Sequence, residues 1–365
     1  MQDFVNKIVS WYEKNHRQLP WRETHDPYRI WLSEIILQQT RVEQGRPYYE
    51  QFTTEHPNIQ SLAEANEESI LRLWQGLGYY SRARNLHKCA KTVVAEHGGH
   101  FPKKFEDLKK LPGIGPYTAA AIASFAFGEK VACVDGNVYR LLSRFFGISD
   151  DIASPKGQKV FFEKAQSLIP SDRPDLFNQA TMEMGAMVCT PKKPNCMYCP
   201  LQAGCYAFEH NKQEELPVKT KKVKVKKRYL HYLIIKHEGE VLMKKRDTKG
   251  IWAGLYDFPL IEGQEAIVDF DDLLENTPNF NGEEFLLGQI SQQYKHVLTH
   301  QQLFVRFFEI STKNQAAFQQ VKEAFQSQSF PLEETMGIPK PILIDQYLKE
   351  HQLEGVEQQG IIDKI

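Results

Sequence analysis

The sequence predicts a multidomain chain: an all-α region closed by a cysteine-rich loop, a basic linker, and then an α+β domain. Three observations carry this prediction. Residues 1–188 read as short amphipathic helices broken by Gly and Pro; four of the six cysteines fall between Cys189 and Cys205; and beyond the run "KTKKVKVKKR" the texture turns β-branched and aromatic. The expected limits are a helical region at 1–210, a linker at 211–228, an α+β domain at 229–350 and a tail at 351–365.

The composition is that of an ordinary globular protein: 365 residues, 41% hydrophobic and 25% charged, with room for two or three domains. Neither a signal-peptide core nor a bilayer-length apolar stretch is found, so a cytoplasmic protein with reduced thiols and no membrane partner is expected. The formal net charge of -1 conceals an asymmetry. Residues 1–228 hold 33 Lys and Arg against 25 Asp and Glu, whereas residues 229–365 hold 12 against 21. Much of the excess is the run Lys219 to Arg228, which by itself reads as a solvated linker. Beside a nucleic-acid-binding domain it would read as a tether that touches phosphates.

Taken in order, "DPYRIWLSEIILQQTRVEQ" predicts a helix with a proline just inside its start, and "SLAEANEESILRLWQGLG" a second one ending at glycines. "YTAAAIASFAFG" is almost wholly apolar and should lie deep in the helical core. "RYLHYLIIKHEGEVLMKKRD" predicts two strands around a turn, and "QLFVRFFEIS" another strand. No internal repeat is evident.

The four thiols are spaced Cys-x6-Cys-x2-Cys-x5-Cys at Cys189, Cys196, Cys199 and Cys205. In a reducing compartment they read as metal ligands. Zinc accepts four thiolates but usually between two Cys-x2-Cys knuckles, and here there is one; an iron–sulfur cluster accepts an asymmetric loop. The chemistry alone divides evenly between the two. Cys89 and Cys133 sit in apolar patterns and read as small buried side chains.

"LKKLPGIGPYTAAAI" places Gly113 and Gly115 in a tight turn before a helix, leaving backbone N–H groups free to cradle a phosphate. A plain helical corner is the commoner meaning of such a turn, but Lys109 and Lys110 flank this one. Twenty residues on, "VACVDGNVYRLLSRFF" delivers Asp135 to a helix start. There it is most simply an N-cap, and a helix N-terminus also favours an ionised carboxylate. Glu34, in "IWLSEIILQQT", has Ile30, Trp31, Leu37 and Gln38 as helical neighbours. If that face is buried, its pKa rises and it becomes a proton donor near neutral pH; otherwise it is a partly exposed helix charge. One carboxyl held protonated beside one held ionised is the division of labour that glycosidic cleavage needs.

The glycine hairpin, the aspartate some twenty residues beyond it and the four-cysteine loop together resemble the helix-hairpin-helix base-excision DNA glycosylases. Within that superfamily, "WLSEIILQQTRVEQ", "GLGYYSRARNL", "LPGIGPYTAAAI", "VDGNVYRLLSR" and "MEMGAMVCTP" resemble the adenine-excising branch. The resemblance implies a four-iron four-sulfur (4Fe-4S) cluster on the four cysteines. It also implies a monofunctional enzyme, since Tyr117 stands where relatives that also cut the backbone place a Schiff-base lysine. The implied roles are Glu34 as proton donor, Asp135 as stabiliser of the sugar cation, and Asn137 and Tyr117 as their positioners. Arg22 and Gln179 would line the pocket of the extruded base, while Gln39, Thr40 and Tyr79 would act on the opposite strand. Lys192 and Lys193 of the cysteine loop would meet phosphates. The C-terminal part resembles the Nudix-like domain that this branch uses to read 8-oxoguanine, with Leu298, Thr299 and His300 at the contact loop and without the glutamate-rich helix of a hydrolase. The implied partner is double-stranded DNA containing A:8-oxoguanine or A:G mispairs, bound by a monomer at the nucleoid.

Overall fold

Helix starts follow the local chemistry. Pro27, Pro116, Pro155 and Pro174 each occupy a first helical turn, where a missing N–H costs nothing. Asp26 accepts from Tyr28 N, and Asn58 and Asn66 cap the helices Ile59–Glu64 and Glu67–Leu73. In this computed structural model, residues 2–220, 225–247, 249–277 and 284–351 are described. The chain divides into two compact units, Met1–Ala65 with Arg84–Lys222, and Asn66–Ala83 with Val223–Ile365.

The first unit is helical. Its core gathers Phe4 and Ile8 from Gln2–Asn15, Leu141 from Gly136–Phe146, Phe161 from Pro155–Leu168, and Phe177 and Met184 from Pro174–Met187. Helix Pro116–Phe127 is buried from Thr118 to Ser124, as its apolar sequence requires. Cys89 and Cys133 are fully buried.

The helix expected across "DPYRIWLSEIILQQTRVEQ" is instead two, Pro27–Leu37 and Val42–Glu55. Gln39 breaks it with a left-handed φ of 55°. "SLAEANEESILRLWQGLG" likewise divides, because Asn66 starts a new helix with its side chain on Ser69 N.

The second unit is built on a mixed sheet. Its strands are β1 (Lys226–His237), β2 (Glu240–Lys245), β3 (Tyr256–Asp257), β4 (Leu260–Gly263), β5 (Leu286–Ile290), β6 (Tyr294–Val297), β7 (Gln301–Ser311) and β8 (Gln328–Pro331). The path β3-β2-β1-β7-β5 forms the body, with β4 on β1, β6 on β7 and β8 on β2. β1 runs antiparallel to β2 through the expected turn and parallel to β7 along its whole length. Leu230 to Ile235 are all buried, because helices cover both faces of the sheet. Phe318 of helix Gln315–Ala324 joins Leu233, Ile235 and Phe308 on one side, and Tyr347 of helix Ile342–Glu350 stacks on Phe307 at 4.0 Å on the other.

These units differ from the expected limits in three places. Residues 66–83 go with the sheet: Glu68 takes Lys245 at 2.8 Å and the Tyr256 hydroxyl at 3.1 Å, and Arg72 lies 3.9 Å from Asp345. Residues 211–220 go with the helices, where Arg144 Nε donates to Leu216 O at 3.0 Å and the Thr220 hydroxyl bonds Asp151. Lys226 to Arg228, expected in the linker, already belong to β1. Residues 221–224 of the expected linker and 352–365 of the expected tail lie outside the described residues.

Candidate active site

A cavity of about 1030 Å³ opens in the helical unit, and ten of the residues singled out above line it: Arg22, Glu34, Gln39, Thr40, Gly113, Gly115, Tyr117, Asp135, Asn137 and Gln179. Five separate helical elements and the turns beside them deliver these residues. Glu34 sits on the inner face of Pro27–Leu37 and is 9% exposed, so the exposed-charge alternative does not hold. Burial pushes its carboxyl up to about 7, with the Tyr117 hydrogen bond opposing, Asp135 reinforcing and Arg22 opposing.

Asp135 caps helix Gly136–Phe146. Oδ1 accepts from Asn137 N at 2.9 Å and Val138 N at 2.8 Å, and Oδ2 accepts from Asn137 Nδ2 at 2.7 Å. Burial raises its pKa, contrary to the simple helix-terminus expectation, while those N–H groups and Arg140 pull it back. Both oxygens already accept from N–H donors, a geometry that suits the anion.

Asn137 is itself fixed. Its Oδ1 accepts from Arg140 Nη2 at 2.8 Å, and a Cβ on Gly185 would lie 2.7 Å from the Asn137 Cβ. Glycine there lets helix Pro174–Met187 press against the site. Tyr117 hydrogen-bonds Glu34 and reaches Met182 Sδ at 3.9 Å. Gly113 has φ of +73° with a Cβ position only 2.6 Å from Asn85 Cβ, whereas Gly115 opens onto free space. Lys109 and Lys110 are engaged by Glu106 and Asp107.

Sequence reasoning missed the residues behind the pocket. Glu183 receives Arg17 Nε at 2.9 Å, Arg17 Nη2 at 2.8 Å and Arg22 Nη2 at 2.7 Å, and the Tyr12 hydroxyl donates to Gln179 Oε1 at 2.8 Å. Glu183 follows Gln179 by four residues and so shares its helix face, the one signal that could have found it.

In the second unit, Tyr79 is 46% exposed with φ of 48°, and its hydroxyl hydrogen-bonds that of Thr299. Leu298, Thr299 and His300 form the β6–β7 turn, closed by Leu298 N on Gln301 O at 2.8 Å.

Cys189, Cys196, Cys199 and Cys205 are free thiols around one small cavity. Arg144 Nη1 lies 3.4 Å from Cys189 Sγ, and Lys192 and Lys193 are exposed on the loop. Among the described residues no three His, Cys, Asp or Glu side chains form a group suited to a single metal ion. Four thiols lining one cavity are a donor set that fits an iron–sulfur centre.

The model of the HhH-GPD superfamily of base excision DNA repair proteins matches residues 32–170, and that of the NUDIX domain matches residues 231–350. An adenine DNA glycosylase of Buchnera aphidicola subsp. Acyrthosiphon pisum is 36% identical over 81% of this chain and 84% of its own. The human adenine DNA glycosylase is 44% identical over 58% of this chain and 41% of its own. Among solved structures, a thermostable thymine-DNA glycosylase is 30% identical with a TM-score of 0.53, covering 57% of this chain and 96% of its own. An endonuclease III–DNA complex shares the fold at 19% identity and a TM-score of 0.51, covering 57% of this chain and 95% of its own.

A helical fold with a glycine hairpin, and a cavity that pairs Glu34 with a helix-capping Asp135, define a helix-hairpin-helix DNA glycosylase, a hydrolase of N-glycosyl bonds. The Nudix-like unit appended to it and the relatives that match across both parts narrow this further. The chain belongs to the adenine DNA glycosylase family.

Proposed function

We propose that the protein removes adenine paired with 8-oxoguanine or guanine from double-stranded DNA by hydrolysis alone. The observation that carries this reading is the Glu34–Asp135 pair on one cavity: a buried carboxyl titrating at about 7 beside a carboxylate whose oxygens already accept three N–H groups. Adenine leaves the stack, at a cost of about a few kcal/mol, and enters between Arg22 and Gln179. Glu34 gives its proton to N7, so the base departs neutral. Asp135 faces the oxocarbenium-like sugar, with Asn137 and Tyr117 holding the two carboxyl groups apart in role, and Glu34 as a base then takes a proton from water. Tyr117 offers no amine for a Schiff base.

Gly113 and Gly115 present backbone N–H groups to a phosphate at the start of Pro116–Phe127. Gln39 and Thr40 meet the opposite strand, and Tyr79 with Leu298, Thr299 and His300 reads its 8-oxoguanine. Cys189, Cys196, Cys199 and Cys205 hold a 4Fe-4S cluster, whose part is to brace the loop that carries Lys192 and Lys193. The protein acts as a monomer in the cytoplasm, at the nucleoid; no helix among the described residues is long and apolar enough to cross a membrane.

The test is single-turnover adenine release from an A:8-oxoguanine duplex by wild type, Glu34→Gln and Asp135→Asn. Release by wild type and its loss in both variants is expected. Undiminished release by either variant, or a borohydride-trapped covalent adduct of wild type, overturns the reading.

A further inference from the structure

Behind the cavity stands an ion cluster for which the steps above have no use. Glu183 is 1% exposed on helix Pro174–Met187. Its Oε1 accepts from Arg17 N at 3.0 Å and Arg17 Nε at 2.9 Å, and its Oε2 accepts from Arg17 Nη2 at 2.8 Å and Arg22 Nη2 at 2.7 Å. The other arm of Arg22, Nη1, donates to Arg17 O at 3.1 Å. Both terminal nitrogens of Arg22 are thus engaged away from Glu34, although Arg22 and Glu34 line the same cavity.

An arginine beside a glutamic acid in a low-dielectric cleft ordinarily pairs with it and ionises it. Such pairing would disarm a proton donor. We propose that Glu183 is a positioning residue for proton donation: by engaging Arg22 in a buried ion pair, it keeps that guanidinium from pairing with Glu34 and holds it as a wall of the base pocket. This inference rests on the reading of Glu34 as the acid.

The geometry is specific to that task. A buried carboxylate serving Arg17 alone would need only the two-pronged contact it already makes. The added Arg22 contact brings the cluster to one anion for two cations, with the surplus positive charge spread over both. The ionisable groups facing Glu34 are Tyr117 from Pro116–Phe127, Cys133 and Asp135 from the segment before Gly136, and Arg22 from the turn Pro20–Arg22. Arg22 is the cation among these groups that lowers the Glu34 pKa, while Arg17, Arg41 and Arg140 also line the cavity, so the placement of Arg22 bears directly on whether the carboxyl keeps its proton. The depressed titration of Glu183, at about 2, leaves it anionic throughout the working range.

The experiment compares wild type with Glu183→Gln by two readouts: the pH profile of single-turnover adenine release, and the NMR titration of Glu34 in protein labelled with [13C]glutamate, which needs no substrate. Removing the anion frees Arg22 toward Glu34. The Glu34 midpoint and the alkaline limb of the rate profile should therefore both fall by about one pH unit, a tenfold change in proton affinity. In Arg22→Leu/Glu183→Gln that fall should vanish, which loss of folding alone would not produce. If Glu183→Gln does not fold, Glu183→Asp, too short to span both guanidinium groups, should show a smaller fall. An unchanged midpoint in the folded variant, or a fall that persists without Arg22, overturns the proposal. Absence of adenine release by wild type would refute the proposed function instead, and the NMR comparison would still decide this one.

Discussion

Arg144 and Cys189 meet at 3.4 Å, guanidinium against thiol, and the same Arg144 donates to Thr190 O at 2.7 Å, Pro191 O at 3.1 Å and Leu216 O at 3.0 Å. One buried side chain thereby ties the cysteine loop and residue 216 to the helix that Asp135 caps. Arg144→Ala would strand the buried Leu216 carbonyl and release the part-buried Thr190 and Pro191 carbonyls, at a cost of about 1–3 kcal/mol. A lower unfolding midpoint is the expected outcome, with faster loss of iron to a chelator if the protein carries the proposed cluster.

Glu34→Gln should remove activity while stabilising the fold. The folded-state pKa of Glu34 is raised, so its ionisation opposes folding: stability is lost as pH rises from about 4.5 through about 7. A neutral amide escapes that cost. The variant should melt higher than wild type at pH 8, by an amount on the order of 1–3 kcal/mol, and the difference should vanish near pH 4. Calorimetry at the two pH values checks it.

Adenine release should decline above about pH 7, as the proton that Glu34 must give is lost. A rate that stays level to pH 9 would remove Glu34 from that role.

Glu183 behaves oppositely under acid. Its folded-state pKa is depressed to about 2 by Arg17 and Arg22 against the opposing burial, so it adds stability above about pH 4.5 that disappears as pH falls toward 2. Glu183→Gln should flatten that part of the acid unfolding curve.

The two hairpin glycines should respond differently to alanine. Gly113→Ala forces a side chain into φ of +73° and onto Asn85, and should destabilise by about 1–3 kcal/mol. Gly115→Ala meets nothing within 4 Å and should leave the melting temperature close to wild type. Thermal melts of the two variants separate these outcomes.

What could be foreseen follows the range of the interactions. Asp135 as a cap, the buried helix from Thr118 and the β1–β2 turn are encoded within a few residues, and local patterning revealed them. Glu34 was legible as a candidate, but its burial comes from helices far along the chain. Arg17–Glu183 and Tyr12–Gln179 join residues 166 and 167 positions apart, and no local periodicity announces such pairs. The break at Gln39 was hidden because its surroundings favour helix; a left-handed glutamine carries no compositional mark. The allegiance of residues 66–83 was hidden for the same reason, since Glu68 and Arg72 look like solvated helix charges until Lys245 and Asp345 are brought to them.

That last feature bears on how the protein can be taken apart. Because the polypeptide passes from one unit to the other at 65/66, 83/84 and 222/223, severing it once after residue 220 does not free either unit whole. The amino-terminal fragment would retain Glu68, Arg72 and Tyr79 while losing Lys245, Asp345 and Thr299, and the carboxy-terminal fragment would lack the helix that those residues grip. A faithful dissection requires grafting residues 66–83 onto the sheet-bearing piece and closing the gap left in the other with a short loop.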